Sequence, residues 1–172
     1  MFVLKKGGQL LYREYEGIQV ITGSQQALTN ILCHGIHGKI AVHFLDSEMW
    51  NTIEPFSADK EILVWVHGSE IQPWHRRTFN YDTNEQLAKA KVESEKRMDF
   101  WRPLLSRLPK NMKLVFVSDY FAKEVMEDTE VEIPDKSYEI IHNPINTSMF
   151  NYVEKADYQR KKILTQLELA LV

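Results

Sequence analysis

The sequence predicts an α/β fold, a Rossmann-like parallel sheet with helices on both faces, and three observations carry that reading. Short apolar runs rich in β-branched and aromatic residues, each bounded by turn signals, recur along the chain as buried parallel strands do. Amphipathic helical patterns separate them, and right-handed crossovers turn that alternation into a doubly wound sheet. The run Glu61 to Arg77, EILVWVHGSEIQPWHRR, stops abruptly at a histidine, a glycine and a carboxylate. In an open α/β sheet, the carboxyl end of a strand is where ligands collect.

Taken in order, strands are expected at Phe2 to Leu4, Gly17 to Ile21, Lys39 to Phe44, Ile62 to His67, Lys113 to Ser118 and Glu139 to Asn143. Most are β-branched or aromatic in composition. Ser24 reads as the N-cap of an amphipathic helix carrying Ala27, Leu28, Ile31 and Leu32, and the HGIHG segment supplies its glycine stop. Asp46 or Ser47 caps a second helix through Met49, Trp50 and Ile53. The longest helical pattern, Asn84 to Leu108, offers Leu87, Val92, Trp101, Leu104, Leu105 and Leu108 to the core, with Pro103 as a kink. Its middle, KAKVESEKR, reads as a solvated face. Ser118 ends a strand and caps the helix from Asp119 to Met126.

At 172 residues, 44% hydrophobic and 26% charged, the chain suffices for one cored domain and is short for two. A net charge of −3 gives no global field for a nucleic-acid partner, so none is expected. The single cysteine, Cys33, excludes an internal disulfide framework and any CxxC motif, and it reads as a buried small apolar residue. No apolar run has the length of a membrane span, and the N-terminus lacks a signal-peptide core, so a cytoplasmic setting is expected.

His67 sits at a strand end, Gly68 lets backbone approach a ligand, and Glu70 is near enough in sequence to share the crevice. On spacing alone, His67 serves either that crevice or a hydrogen bond to a neighbouring loop. His142 raises the same question at the last strand, where Asn143 and Pro144 fix an extended exit and the structural role is favoured. The loop from Gln72 to Arg77 groups Trp74 with His75, Arg76 and Arg77, which suits an anionic or sugar-bearing partner as well as a solvated turn. His34 and His37 lack a third ligand at metal spacing, so no metal site is expected. Gly7 and Gly8 do not form GxGxxG, and neither GxxxxGK[ST] nor GxSxG occurs. Ser118 beside Asp119 is a helix cap before it is a nucleophile.

Three blocks stand in a telling order: ILVWVHGSEIQPW at Ile62 to Trp74, KLVFVSDYFAKEVME at Lys113 to Glu127, and IIHNPINTSMF at Ile140 to Phe150. Together they resemble the N-terminal domain of a GT-B fold glycosyltransferase of family 4, the retaining enzymes of polysaccharide, lipopolysaccharide and glycolipid assembly. The resemblance implies a domain over residues 1–150, with 151–172 as the hinge and an aborted start of a C-terminal domain. It implies a hexosyltransferase-type activity, with a glycan or lipid-linked sugar acceptor on this domain and the nucleotide-sugar donor on the other. No further cofactor is implied. It casts His67 as the sugar-facing catalytic residue and Ser118 as a cleft-lining one, with Gly68, Glu70, Trp74, Arg76 and Arg77 on the acceptor side. Asn143 and Pro144 match the interdomain hinge, and Asn146 stands where the family more often has aspartate.

The resemblance leads one to expect a first strand, a glycine-rich loop and a first helix before VLKKGGQLLYREYEGIQVI, and RKKIL resembles the entry to a donor domain, so a partial domain lacking both is the expectation. The isolated chain is therefore expected to lack transferase activity. An unpaired sheet edge implies self-association as a homodimer or sticky monomer, and the acceptor class implies peripheral contact with an anionic membrane. A different class, a non-catalytic carbohydrate- or glycolipid-binding α/β module using the loop of Trp74 to Arg77, is the competing expectation.

Overall fold

The structure, a computed structural model, describes residues 1–5, 9–35 and 38–148. Gly7, Gly8, His37 and the stretch 151–172 lie outside the described residues. The chain divides into two compact units, the first Met1–His142 and the second beginning at Asn143. The described part of the second is the exposed stretch 143–148, in which the Asn146 side-chain oxygen accepts from the Ser148 amide at 3.1 Å and its hydroxyl at 2.6 Å.

The first unit opens with a three-stranded sheet of β1 (Phe2–Leu4), β2 (Leu11–Tyr15) and β3 (Ile18–Gly23), in the order β1-β3-β2. β1 runs parallel to β3, and β2 pairs with it antiparallel from Leu11↔Thr22 to Tyr15↔Ile18. The hairpin turns on Glu16 (φ 49°) and Gly17 (φ 78°). Positive φ at both central residues matches the twist of the strands it joins. β2 has no counterpart among the strands expected from the sequence, and β1 and β3, expected in the parallel sheet, stand apart from it because β3 has both edges occupied, by β1 and β2.

The second sheet is all parallel: β4 (Lys39–His43), β5 (Glu61–Val66), β6 (Met112–Phe116) and β7 (Tyr138–Ile140), in that order. Flanked by helices, it has the α/β class read from the sequence, a Rossmann-like partial domain. Register puts Val42, Val64 and Leu114 in one row and Val66, Phe116 and Ile140 in the next. Ile62, Val64, Val66, Leu114 and Phe116 have no exposed surface, which is why β5 and β6 read as near-continuous apolar runs. On the opposite face Lys39 pairs with Glu61 at 2.9 Å and Lys113 with Glu139 at 2.7 Å. These are exposed cross-strand pairs and contribute little to stability.

Among the described residues four α-helices complete the unit: α1 (Gln25–His34), α2 (Ser47–Ile53), α3 (Asn84–Ser106) and α4 (Asp119–Thr129). Ser24, Asp46 and Ser118 cap α1, α2 and α4 by accepting from Ala27, Met49 and Phe121 amides. Thr83 and Gln86 form a reciprocal capping box on α3. α3 runs through Pro103 and buries Ser94, Met98, Trp101, Leu104 and Leu105. Val92 is exposed instead, since it precedes Ser94 by two residues, roughly 200° around the helix. Cys33 is exposed too, against the sequence reading. It lies five residues after buried Leu28, about 140° around α1, so the stripe that faces inward misses it. Gly35 closes α1 by donating to the Ile31 carbonyl at 2.7 Å.

Candidate functional site

The parallel register gathers the candidate residues. His43 ends β4, and His67, Ser118 and His142 follow the carboxyl ends of β5, β6 and β7, so the sheet itself aligns them along one edge. Residues 61, 63, 65 and 67 share one face of β5, and residues 39, 41 and 43 of β4 lie beside them. His43 and His67 therefore meet. Nδ1 of His43 lies 2.8 Å from Nε2 of His67, with ring centroids 5.1 Å apart and planes at 27°. Trp65 stacks on His43 at 5.3 Å, and Phe44 stacks on His67 at 4.5 Å.

Phe44 is held against its preference. It is 55% exposed and carries a φ of 55°, a backbone region where a bulky side chain is uncommon and strained. Such strain persists only where surrounding structure over-determines it, and it concentrates at functional sites.

The turn after β5 is built to hold the His67 backbone in place. Gly68 adopts a φ of 115°, and its carbonyl accepts from the Ile71 and Gln72 amides at 3.0 and 2.7 Å. The Glu70 carboxylate folds back to accept the His67 amide at 2.6 Å. A β-carbon on Gly68 would stand 3.1 Å from the Gln72 side-chain oxygen. Gly68→Ala is therefore expected to cost about 1–3 kcal/mol, from the backbone conformation more than from crowding, which the flexible Gln72 can relieve. Urea denaturation checks this. A variant as stable as the parent would mean the turn can be made without glycine.

Beyond the turn, one face of α3 secures alternate residues of the loop. Trp101 donates through Nε1 to the Glu70 carbonyl at 2.8 Å, Arg97 donates to the Gln72 carbonyl at 3.2 Å, and the Ser94 hydroxyl accepts from the Trp74 amide at 3.0 Å. Ser94 is 1% exposed inside the segment read as solvated. A buried backbone group without a partner costs about 1–3 kcal/mol, so these bonds fix the loop's path.

The loop of Trp74 to Arg77, expected to be a contact surface, is largely engaged within the fold. It lies in a 3₁₀ stretch, Trp74–Asn80. Arg76 spans three carboxylates of α4: Asp128 at 3.0 Å, Glu124 at 3.2 Å and Glu127 at 3.4 Å. Hydrogen bonding to Asp128 is the main reason its pKa is raised further. His75 reaches Asp128 at 3.5 Å, and Lys91 sits 4.5 Å over the Trp74 ring. Arg77, half-buried in the same stretch, departs from helical geometry.

Ser118 caps α4, its hydroxyl accepting from the Phe121 amide at 3.1 Å. His142 is tied to the Val117 carbonyl through Nδ1 at 2.9 Å, a backbone anchor. Asn143, Pro144 and Asn146 belong to the second unit. Among the described residues, no group of three or more His, Cys, Asp and Glu could hold a metal ion. His43 and Phe44 were missed in the sequence, although the rule that selected His67, a polar residue ending a parallel strand, selects His43 equally.

Compared with known protein families, curated proteins and solved structures, the chain matches none.

Proposed function

We propose that this chain is the acceptor-binding half of a retaining, hexosyltransferase-type glycosyltransferase, taking a glycan or lipid-linked sugar at the carboxyl end of β5. The observation that carries the reading is the meeting of His43 and the strained, exposed Phe44 with His67, the residue before Gly68. An imidazole with an unfilled ring nitrogen can hydrogen-bond a sugar hydroxyl, and a flat apolar ring beside it can cover a sugar's C–H face. The positive φ of Gly68 lets main chain come close to that ligand. The nucleotide-sugar donor is the second substrate of such an enzyme, and His67 is the residue that would face the reacting sugar.

Calorimetric titration with oligosaccharides and short-chain lipid-linked saccharides tests this. Saturable binding is expected, weakened at least about tenfold, or about 1.4 kcal/mol, by His67→Ala. Equal binding by the variant, or none by the parent, contradicts it.

The same reading places the protein in the cytoplasm, in peripheral contact with the anionic inner face of a membrane, where lipid-linked acceptors are presented. Among the described residues no helix is long and apolar enough to cross a membrane. It also includes self-association as a homodimer, supported by β2, an outer strand on which Leu11, Tyr12 and Tyr15 are 57%, 70% and 60% exposed. Apolar outer strands invite pairing with a second chain. Light scattering should give a mass above the monomer that rises with concentration, and a constant monomer mass would count against it.

A further inference from the structure

We propose that a second ligand site, one for a phosphate group, lies at the amino ends of β6 and β7, in a cleft where Arg107, Lys110 and Lys136 stand around an apolar floor.

The cleft holds about 540 Å³, a size common among small-molecule sites. The whole chain carries a net charge of −3, yet the described residues lining this cleft include four cations and one carboxylate, Glu132. Lys113 is already neutralised by Glu139 at 2.7 Å. Arg107, Lys110 and Lys136 have no carboxylate partner among the described residues. Like charges gathered without partners repel one another, a cost that a bound anion removes.

The backbone beneath each cation is fixed. Arg107 closes α3 by donating its amide to the Leu104 carbonyl at 3.2 Å. Lys110 sits in a turn closed by the Met112 amide on the Pro109 carbonyl at 3.0 Å, and Asn111 ties that turn to the Ala58 carbonyl at 2.8 Å. Lys136 belongs to the 3₁₀ turn Asp135–Ser137, closed by the Ser137 amide on the Pro134 carbonyl at 2.8 Å. Binding therefore costs side-chain freedom only.

The opposing potential is smaller than the attraction. Glu132 supplies one negative charge and the C-terminal end of α3 about half of one, against three unpaired cations. Leu105 and Met112, both buried, give the cleft a low-dielectric wall that focuses the remaining field. Arg107 offers a planar fork to two phosphate oxygens, the lysines add point charges, and the half-buried Ser137 hydroxyl, unbonded among the described residues, adds a neutral donor. A phosphate monoester, with a charge of about −1.5 to −2 and three terminal oxygens, has acceptors for all of these; a carboxylate does not. The cleft opens at the sheet edge opposite His67, so the inference does not rest on the sugar-acceptor reading. Such a phosphate reaches it on a soluble compound or on a lipid headgroup.

Two probes of the parent chain test this: an NMR titration with inorganic pyrophosphate, and co-sedimentation with phosphatidylcholine vesicles containing phosphatidic acid. Saturable pyrophosphate shifts are expected at the Arg107, Lys110, Lys136 and Ser137 amides, with a dissociation constant of about 1 mM or tighter. Raising salt toward about 1 M, where the screening length falls to about 3 Å, should weaken binding at least about tenfold. Arg107→Gln, Lys110→Gln and Lys136→Gln should each weaken it about fivefold, and Glu132→Gln should strengthen it by a similar factor. Pyrophosphate binding without vesicle binding assigns a soluble phosphorylated ligand, whereas vesicle binding that the three substitutions together abolish assigns a headgroup. No binding of either probe, shifts confined to other parts of the chain, or unchanged affinity in the folded triple variant would overturn the proposal. The parent titration and Glu132→Gln decide it even if the triple variant does not fold. No saccharide enters the experiment, so its failure is distinct from failure of the acceptor reading.

Discussion

Trp101→Ala is expected to lower the stability of the first unit by about 3–5 kcal/mol, the usual cost of deleting a large aromatic from a core. The indole has no exposed surface, packs edge-on against Phe100 at 5.3 Å and donates to the Glu70 carbonyl at 2.8 Å. Truncation opens a cavity under the sheet and strands that carbonyl at once. Against a total of about 5–15 kcal/mol, the loss should move the urea midpoint by about 2 M. Trp101→Phe separates the two effects. It keeps most of the packing and removes only the donor, so a smaller loss of about 1–3 kcal/mol is expected. Hydrogen exchange should then quicken at the Ile71 and Gln72 amides, which close the Gly68 turn. Slow exchange there in a folded Trp101→Phe variant would show that α3 does not hold the site turn.

Arg76→Met carries the second large effect. The Arg76 side chain is 28% exposed, and it faces the carboxylates of Asp128, 8% exposed, and Glu124, 14% exposed. Breaking a buried ion pair by removing one partner costs about 3–5 kcal/mol, because the surviving charges stay buried without compensation. The solvent that reaches Arg76 reduces this, and about 2–3 kcal/mol is expected. Arg76→Lys should recover only part of it, since an ammonium lacks the planar fork that bonds Asp128 through Nε and Glu124 and Glu127 through the two terminal nitrogens. Chemical denaturation of both variants checks the order. A neutral Arg76→Met would mean the clasp between the 3₁₀ stretch and α4 contributes nothing, leaving the guanidinium available to a ligand.

The parallel sheet was legible because its strands are buried and their sequence says so: Ile62, Val64 and Val66 give β5 an unmistakable apolar run, and Ser24, Asp46 and Ser118 announce three helices by their capping chemistry. β2 was not, because all five of its residues are exposed and LYREY alternates too weakly to stand out from a polar loop. The readable signal was Glu16-Gly17 between two short alternating runs. At the site, His67 and Gly68 could be found by position along one strand. The His43 contact could not, since it depends on which strands are neighbours and in what register. In the loop of Trp74 to Arg77, composition names the charges of His75 and Arg76, and only the fold reveals that α4 supplies partners to these two, fifty-odd residues away.

The central claim is that the carboxyl edge of β5 receives a sugar acceptor, and an NMR titration with a short-chain lipid-linked saccharide tests it most directly. Saturable shifts are expected at the His67 and His43 rings and the Gly68 amide, absent from the His67→Ala variant. Shifts confined to residues away from β4 and β5, or unaltered by His67→Ala, would contradict the account.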